Sequence, residues 1–269
     1  MTSLDHPVRM PVVFFGHGSP TTILTKNKAT ASWRDIAARI PKPKAILCIS
    51  AHWYTNRLYV TAMERPRTIH DFGPLSPDLF KITYPAPGAP ELAQRIRELA
   101  APVEVGLDQQ WGLDHGSWTV LSVAYPEADI PVVQLSLDSR QSPGWHLEFA
   151  KKLRPLRDEG VLIVGSGNIV HNLSVLEWKD NVPPYDWAVR FRDFILENVQ
   201  TRSFDTITAY ADQGSDAALS VPHPDHFLPV LYVLGASVEN DSVDVETDYF
   251  QFKSLSMASL VFSDTSLAA

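Results

Sequence analysis

At 269 residues the chain is long enough for one large domain or two small ones, with a substantial core. Hydrophobic residues make up 45% and charged residues 20%, which is ordinary globular usage and excludes general disorder. The formal net charge of −8 argues against a nucleic-acid binder, whose contact face is normally basic.

The first apolar run, Val12–Phe15, reads as a strand and stops at Gly16-His17. "ATASWRDIAARI" then places Trp33, Ile36, Ala37 and Ile40 at helical spacing. A second strand, Ala45–Ser50, stops just before His52, and Leu58–Ala62 reads as a third. The loops "RPRTIHDFGPLSP" and "YPAPGAP" follow, long and proline-rich, of the kind that rims a functional site. "APELAQRIRELA" is a helix carrying Leu92, Ile96 and Leu99 on one side, with Pro90 suited to its first turn. After a strand at Val103–Leu107, "WGLDHGSWTVL" sets Asp114 and His115 just ahead of a helical run.

Further strands are expected at Val132–Leu137 and Val161–Val164, the latter soon followed by His171 in "GVLIVGSGNIVHN". Between them the helical pattern Trp145–Arg157 holds Pro155, which predicts a kink or a split. "PYDWAVRFRDFILENV" lines up Trp187, Phe191, Phe194, Ile195 and Val199. "DHFLPVLYVLGA" predicts a helix capped by Asp225 and stopped by Gly235, with Pro229 tolerated in the first turn. Strands at Val243–Thr247 and Leu255–Phe262 close the chain. Alternating strands and helices without a linker or repeat predict an α/β fold. The expectation is a single domain over 1–269, with a central, mostly parallel sheet flanked by helices.

The only cysteine, Cys48, lies inside a strand, so no disulfide or cysteine-based zinc finger forms within the chain. With no recognisable leader and no run of membrane-spanning length, a soluble cytoplasmic protein is expected. The glycosylation-like Asn172–Ser174 is read as chance.

Four histidines share a placement. His17, His52 and His171 follow strands, where open α/β sheets bind ligands, and His226 sits at a helix start able to face them. Any one of them alone is more simply a packed, hydrogen-bonded residue, whereas four together point to a metal or acid/base site. Imidazole suits zinc, iron, copper and nickel alike, so residue type does not choose the metal. His115 reads either as a proton donor or acceptor oriented by Asp114, or as a helix-cap residue beside a Trp-rich core. His70 is a weaker pocket candidate and His223 is a supporting or exposed residue. His6 and His146 read as surface.

"GHGSP", "SAHW", "IHDFG", "YPAPG", "DHGSW", "PVVQLSLD", "SGNIVHN" and "HFLPVLYVLGA" run in order from about Phe15 to Ala236. Together they resemble the 4,5-DOPA dioxygenase-type branch of the class III extradiol ring-cleavage dioxygenases. The resemblance implies a nonhaem metal enzyme that opens a catechol-type ring with O2 beside its hydroxyls, giving a muconic semialdehyde. Fe(II) is the implied working metal, with Zn(II) expected in purified protein as an alternative occupant. The resemblance places metal ligands at His17, His52 and His226. It gives His171 as either a further ligand or an acid/base group, and His115 as a catalytic pocket histidine. Better-known relatives carry a carboxylate as third ligand, where this chain offers His226 with Asp225 beside it. A zinc-dependent hydrolase and a non-catalytic binding protein are the competing readings. Neither nucleic acid nor membrane is an expected partner, and oligomeric state is left open.

Overall fold

The computed structural model describes residues 9–179 and 181–264; His6 therefore lies outside the described residues. In chain order the elements are β1 (Val12–Gly16), α1 (Lys28–Arg39), β2 (Ala45–Thr55), β3 (Leu58–Thr61), α2 (Pro90–Ala100), β4 (Val105–Asp108) and α3 (His115–Ala124). They continue with β5 (Val132–Asp138), α4 (Pro143–Lys151), α5 (Pro155–Asp158), β6 (Val161–Gly167) and α6 (Asp186–Gln200). The chain then adds α7 (Phe204–Thr208), α8 (Ser215–Ser220) and α9 (Leu228–Ala236). Last come β7 (Asp241–Thr247), β8 (Phe250–Gln251), β9 (Leu255–Ser256) and β10 (Ser259–Asp264).

Eight strands form one sheet in the order β4-β3-β5-β2-β6-β1-β10-β7. The central four, β5-β2-β6-β1, are mutually parallel, and antiparallel pairs appear only towards the two sides. Strands buried on both faces read as continuous apolar runs rather than alternating ones. Thus Val12 and Phe14 of β1 enter one core layer while Val13 and Phe15 enter the other. Because β6 lies between β1 and β2, the connectivity reverses here, and it is beyond the carboxyl ends of strands at such a point that open α/β sheets place their ligand crevice. Among the described residues no helix is long and apolar enough to cross a membrane.

Several local expectations are corrected. The strand expected at Leu255–Phe262 is broken: Leu255–Ser256 pairs with β8 in a small hairpin, and only Ser259–Asp264 joins the main sheet. The fourth strand begins at Val105, not Val103. Pro155 splits the helical pattern into α4 and α5, standing at the start of α5 where its missing N–H does no harm. Asp225 does not cap α9, which starts three residues later. Gly235 does not stop it either; it lies inside the helix, where a side chain would collide with the Leu147 carbonyl of α4. Asn172 is buried, its amide donating to Leu219 O.

One buried ion pair ties α5 to β7. Arg157 is wholly buried and bonds Asp241 through two contacts of 2.7 and 2.9 Å. Nε and a second Nη1 proton reach Met10 O and Ala236 O.

His146, read from sequence as a surface residue, is instead fully buried, because α4 turns it inward against Tyr232, whose hydroxyl lies 3.1 Å from its Nδ1. Burial pushes its pKa down to about 4 from the ordinary 6.5. The unfolded chain therefore holds the proton more tightly. The stability this neutral ring secures is complete above about pH 6.5 and is lost as pH falls towards 4. Relative to wild type, His146→Phe is expected to lessen acid sensitivity in that window by about 1 kcal/mol per pH unit. Urea unfolding at several pH values measures it, and parallel stability curves for the two proteins would refute it.

Candidate metal centre

The strand ends set the site. His17 follows β1 directly, and its N–H bonds Gly167 O at 3.0 Å, which holds it in line with the end of β6. Gly18 beside it takes φ +61, a turn that a side chain would strain. His52 lies within β2 rather than after it. Ile49 pairs with Leu135 but Tyr54 pairs with Leu137, so β2 bulges between those positions and swings His52 into the crevice. His226 stands just before α9, its carbonyl accepting from Asn168 N at 2.9 Å. Gly167 is what permits that approach, since a Cβ there would collide with the same carbonyl.

These three histidines converge. Their ring centroids lie 5.2 Å (His17–His52), 5.3 Å (His17–His226) and 4.8 Å (His52–His226) apart. One nitrogen from each falls within 4.8 Å of the others. Supporting hydrogen bonds fix two tautomers. Ser166 Oγ donates its only proton to Gly116 O at 2.5 Å, so towards His17 Nδ1, 2.9 Å away, it acts as acceptor. His17 therefore carries its proton on Nδ1 and presents a bare Nε2. Asp225 Oδ1 lies 3.0 Å from His226 Nδ1 and has the same effect there. His52 Nε2 is buried with no hydrogen-bond partner in the protein. Burial, and then the neighbouring imidazoles, hold His17 and His52 well below the ordinary histidine range, so both rings are neutral at pH 7. A buried, unpartnered ring nitrogen beside two imidazoles whose hydrogen bonds leave Nε2 bare is a donor set that a divalent transition metal fits.

Two more histidines flank this group. The His115 ring lies 3.8 Å from that of His52. The His171 ring stacks flat on His226 at 3.5 Å and is likewise held below its ordinary range, first by burial. His171 does not join the close nitrogen group; its N–H bonds Ser220 O at 2.8 Å. Asp114 caps α3 through Ser117 N and binds Ser50 and Gln134, so it does not orient His115. Asp71 stands there instead, with Oδ1 at 2.9 Å from His115 N and 3.0 Å from His115 Nδ1. The motif "IHDFG" held this residue in plain view, but nothing in the one-dimensional pattern ties a loop carboxylate to a helix-start histidine. Ser166, too, offered no sequence signal beyond its place at a strand end.

His70 stays outside the group. Its Nε2 bonds Ile82 O at 2.9 Å, and its ring packs against Phe72, Phe80 and Trp118. His223 is exposed near the rim, 3.3 Å from Asp225 Oδ2.

Comparison with known proteins gives a consistent picture. Residues 9–263 match the family model described as the catalytic LigB subunit of aromatic ring-opening dioxygenase. The chain is 46% identical over 256 residues to 4,5-DOPA dioxygenase extradiol of Escherichia coli (strain K12), covering 94% of each chain. It is 37% identical over 261 residues to the protein of the same name from Beta vulgaris, covering 94% of this chain and 96% of that one. A solved structure of an uncharacterized Escherichia coli K12 protein superposes with a TM-score of 0.83 at 44% identity, over 94% of this chain and 99% of the other.

Proposed function

The chain belongs to the LigB-type aromatic ring-opening dioxygenases and is an extradiol enzyme, and from that premise we propose how its residues divide the work. His17, His52 and His226 hold a single divalent metal, Fe(II) in the working enzyme, and a catechol-type ring binds between the flanking His115 and His171. When bound, the iron supplies a spin-permitted meeting of O2 with the ring and orients both reactants. His115 accepts a proton from a catechol hydroxyl. His171, on the opposite flank, returns a proton to the departing oxygen, and ring opening beside the hydroxyls yields a muconic semialdehyde. The observation that carries this reading is the convergence of three imidazoles with an unpaired, buried His52 Nε2.

With membership of this family, the zinc-hydrolase and binding-protein readings fall away. The test of the metal and product assignment is oxygen uptake by anaerobically iron-loaded protein over a panel of catechols. Iron-loaded protein is expected to consume oxygen and form a yellow semialdehyde chromophore, and zinc-loaded protein to do neither. Equal turnover with zinc would overturn the iron assignment.

The groups behind the ligands give a further expectation. Ser166→Ala and Asp225→Asn each loosen the tautomer and aim of one imidazole and are expected to weaken metal affinity by about 10–100-fold. Chelator competition measures this; unchanged affinity in both would show that these hydrogen bonds are incidental.

A further inference from the structure

Asp71 lies in the proline-rich loop between β3 and α2, on no regular element, yet its carboxylate enters the crevice. Oδ1 accepts the backbone N–H of His115, the first residue of α3, and lies 3.0 Å from Nδ1 of the same residue. One oxygen thus bonds the backbone N–H and stands within hydrogen-bond distance of Nδ1 of the same histidine, without the alignment of a bond to that ring nitrogen. Hydrogen bonds at catalytic sites are often poorly aligned before substrate binds and tighten in the complex. Oδ2 faces His52 Nδ1 at 3.7 Å. The next residue, Phe72, meets the His115 ring edge-on at 5.3 Å and limits how far that ring turns.

We propose that Asp71 is the positioning residue of His115: by holding the proton on Nδ1 it selects the tautomer that presents a bare Nε2 to the substrate. The proposal rests on the reading of His115 as the group that accepts the catechol proton. A neutral imidazole has one donor and one acceptor nitrogen, and a carboxylate offers only acceptors. Beside Asp71, therefore, Nδ1 must be the donor and Nε2 the acceptor. Without Asp71 the two tautomers compete, and in one of them the nitrogen facing the substrate already carries a proton.

The test compares Asp71→Ala, Asp71→Asn, His115→Gln and the Asp71→Ala/His115→Gln pair, with iron occupancy matched by elemental analysis because Asp71 also approaches His52. Asp71→Ala is expected to lower kcat by about 10²-fold with KM within a few-fold, the size of effect a misaimed group produces. Asp71→Asn keeps a neutral acceptor at the same place and should recover part of that loss. The paired variant should fall no further than His115→Gln alone. Independently of turnover, ¹⁵N spectra of the zinc-loaded protein should show the His115 proton on Nδ1 in wild type and shared with Nε2 in Asp71→Ala. Should Asp71→Ala fold poorly, Asp71→Asn carries the same spectral and kinetic comparison. An unchanged His115 tautomer in Asp71→Ala, or full kcat there while His115→Gln is crippled, would overturn the proposal. Full activity of His115→Gln would instead overturn the acid/base reading of His115, and the spectra would still decide whether Asp71 sets its tautomer.

Discussion

Alanine in place of His17, His52 or His226 is expected to abolish both metal retention and ring cleavage, each variant losing more affinity than the 10–100-fold that removal of a supporting group costs. Each removes one nitrogen of the His17–His52–His226 group, and the two imidazoles left are fewer than the three protein ligands a catalytic metal ordinarily keeps. His171→Gln provides the contrast. Its ring lies against His226 rather than among the ligand nitrogens, so metal content should survive while turnover falls by about 10²–10⁴-fold. Elemental analysis beside oxygen uptake separates the two outcomes. Metal loss in His171→Gln would make it a fourth ligand, and retained metal in all three alanine variants would dissolve the site.

The second large effect is on stability. Asp241→Ala leaves the Arg157 guanidinium fully buried with only the carbonyls of Met10 and Ala236 as partners. An uncompensated buried charge is destabilising by about 3–5 kcal/mol. Replacing both residues together, as Arg157→Met/Asp241→Leu, should cost far less, because neither the desolvation nor the pairing then remains. Guanidinium denaturation measures both, and a loss under about 1 kcal/mol for Asp241→Ala would show that water reaches Arg157.

Much of this architecture was legible in the sequence, and for physical reasons. Runs such as Val12–Phe15 and Ala45–Ile49 are apolar throughout because both faces of the parallel centre are covered, and residues beyond their ends fall in the crevice by topology. What escaped reading depends on contacts distant in sequence. His146 follows a helix-start pattern common at surfaces and is buried only because α9 packs on α4. The strand expected at Leu255–Phe262 is interrupted where Met257 and Ala258 approach Gly16 at the end of β1, a neighbour no local pattern reveals. Asp225 is a good helix cap by type, but its carboxylate is taken by the backbone N–H and Nδ1 of His226. The β2 bulge that aims His52 leaves no mark in residue type either.

The position of β6 between β1 and β2 also governs when a site can exist. His17 and His52 are both synthesised early, yet the strand that spaces them comes later, and His226 arrives later still, ahead of α9. A nascent or truncated chain ending before β6 carries His17 and His52 without the strand that spaces them and without His226. In a zinc finger the ion gathers the ligands and drives folding. Here two apolar layers, one on each face of the sheet, carry the fold, and the histidines stand outside both of them.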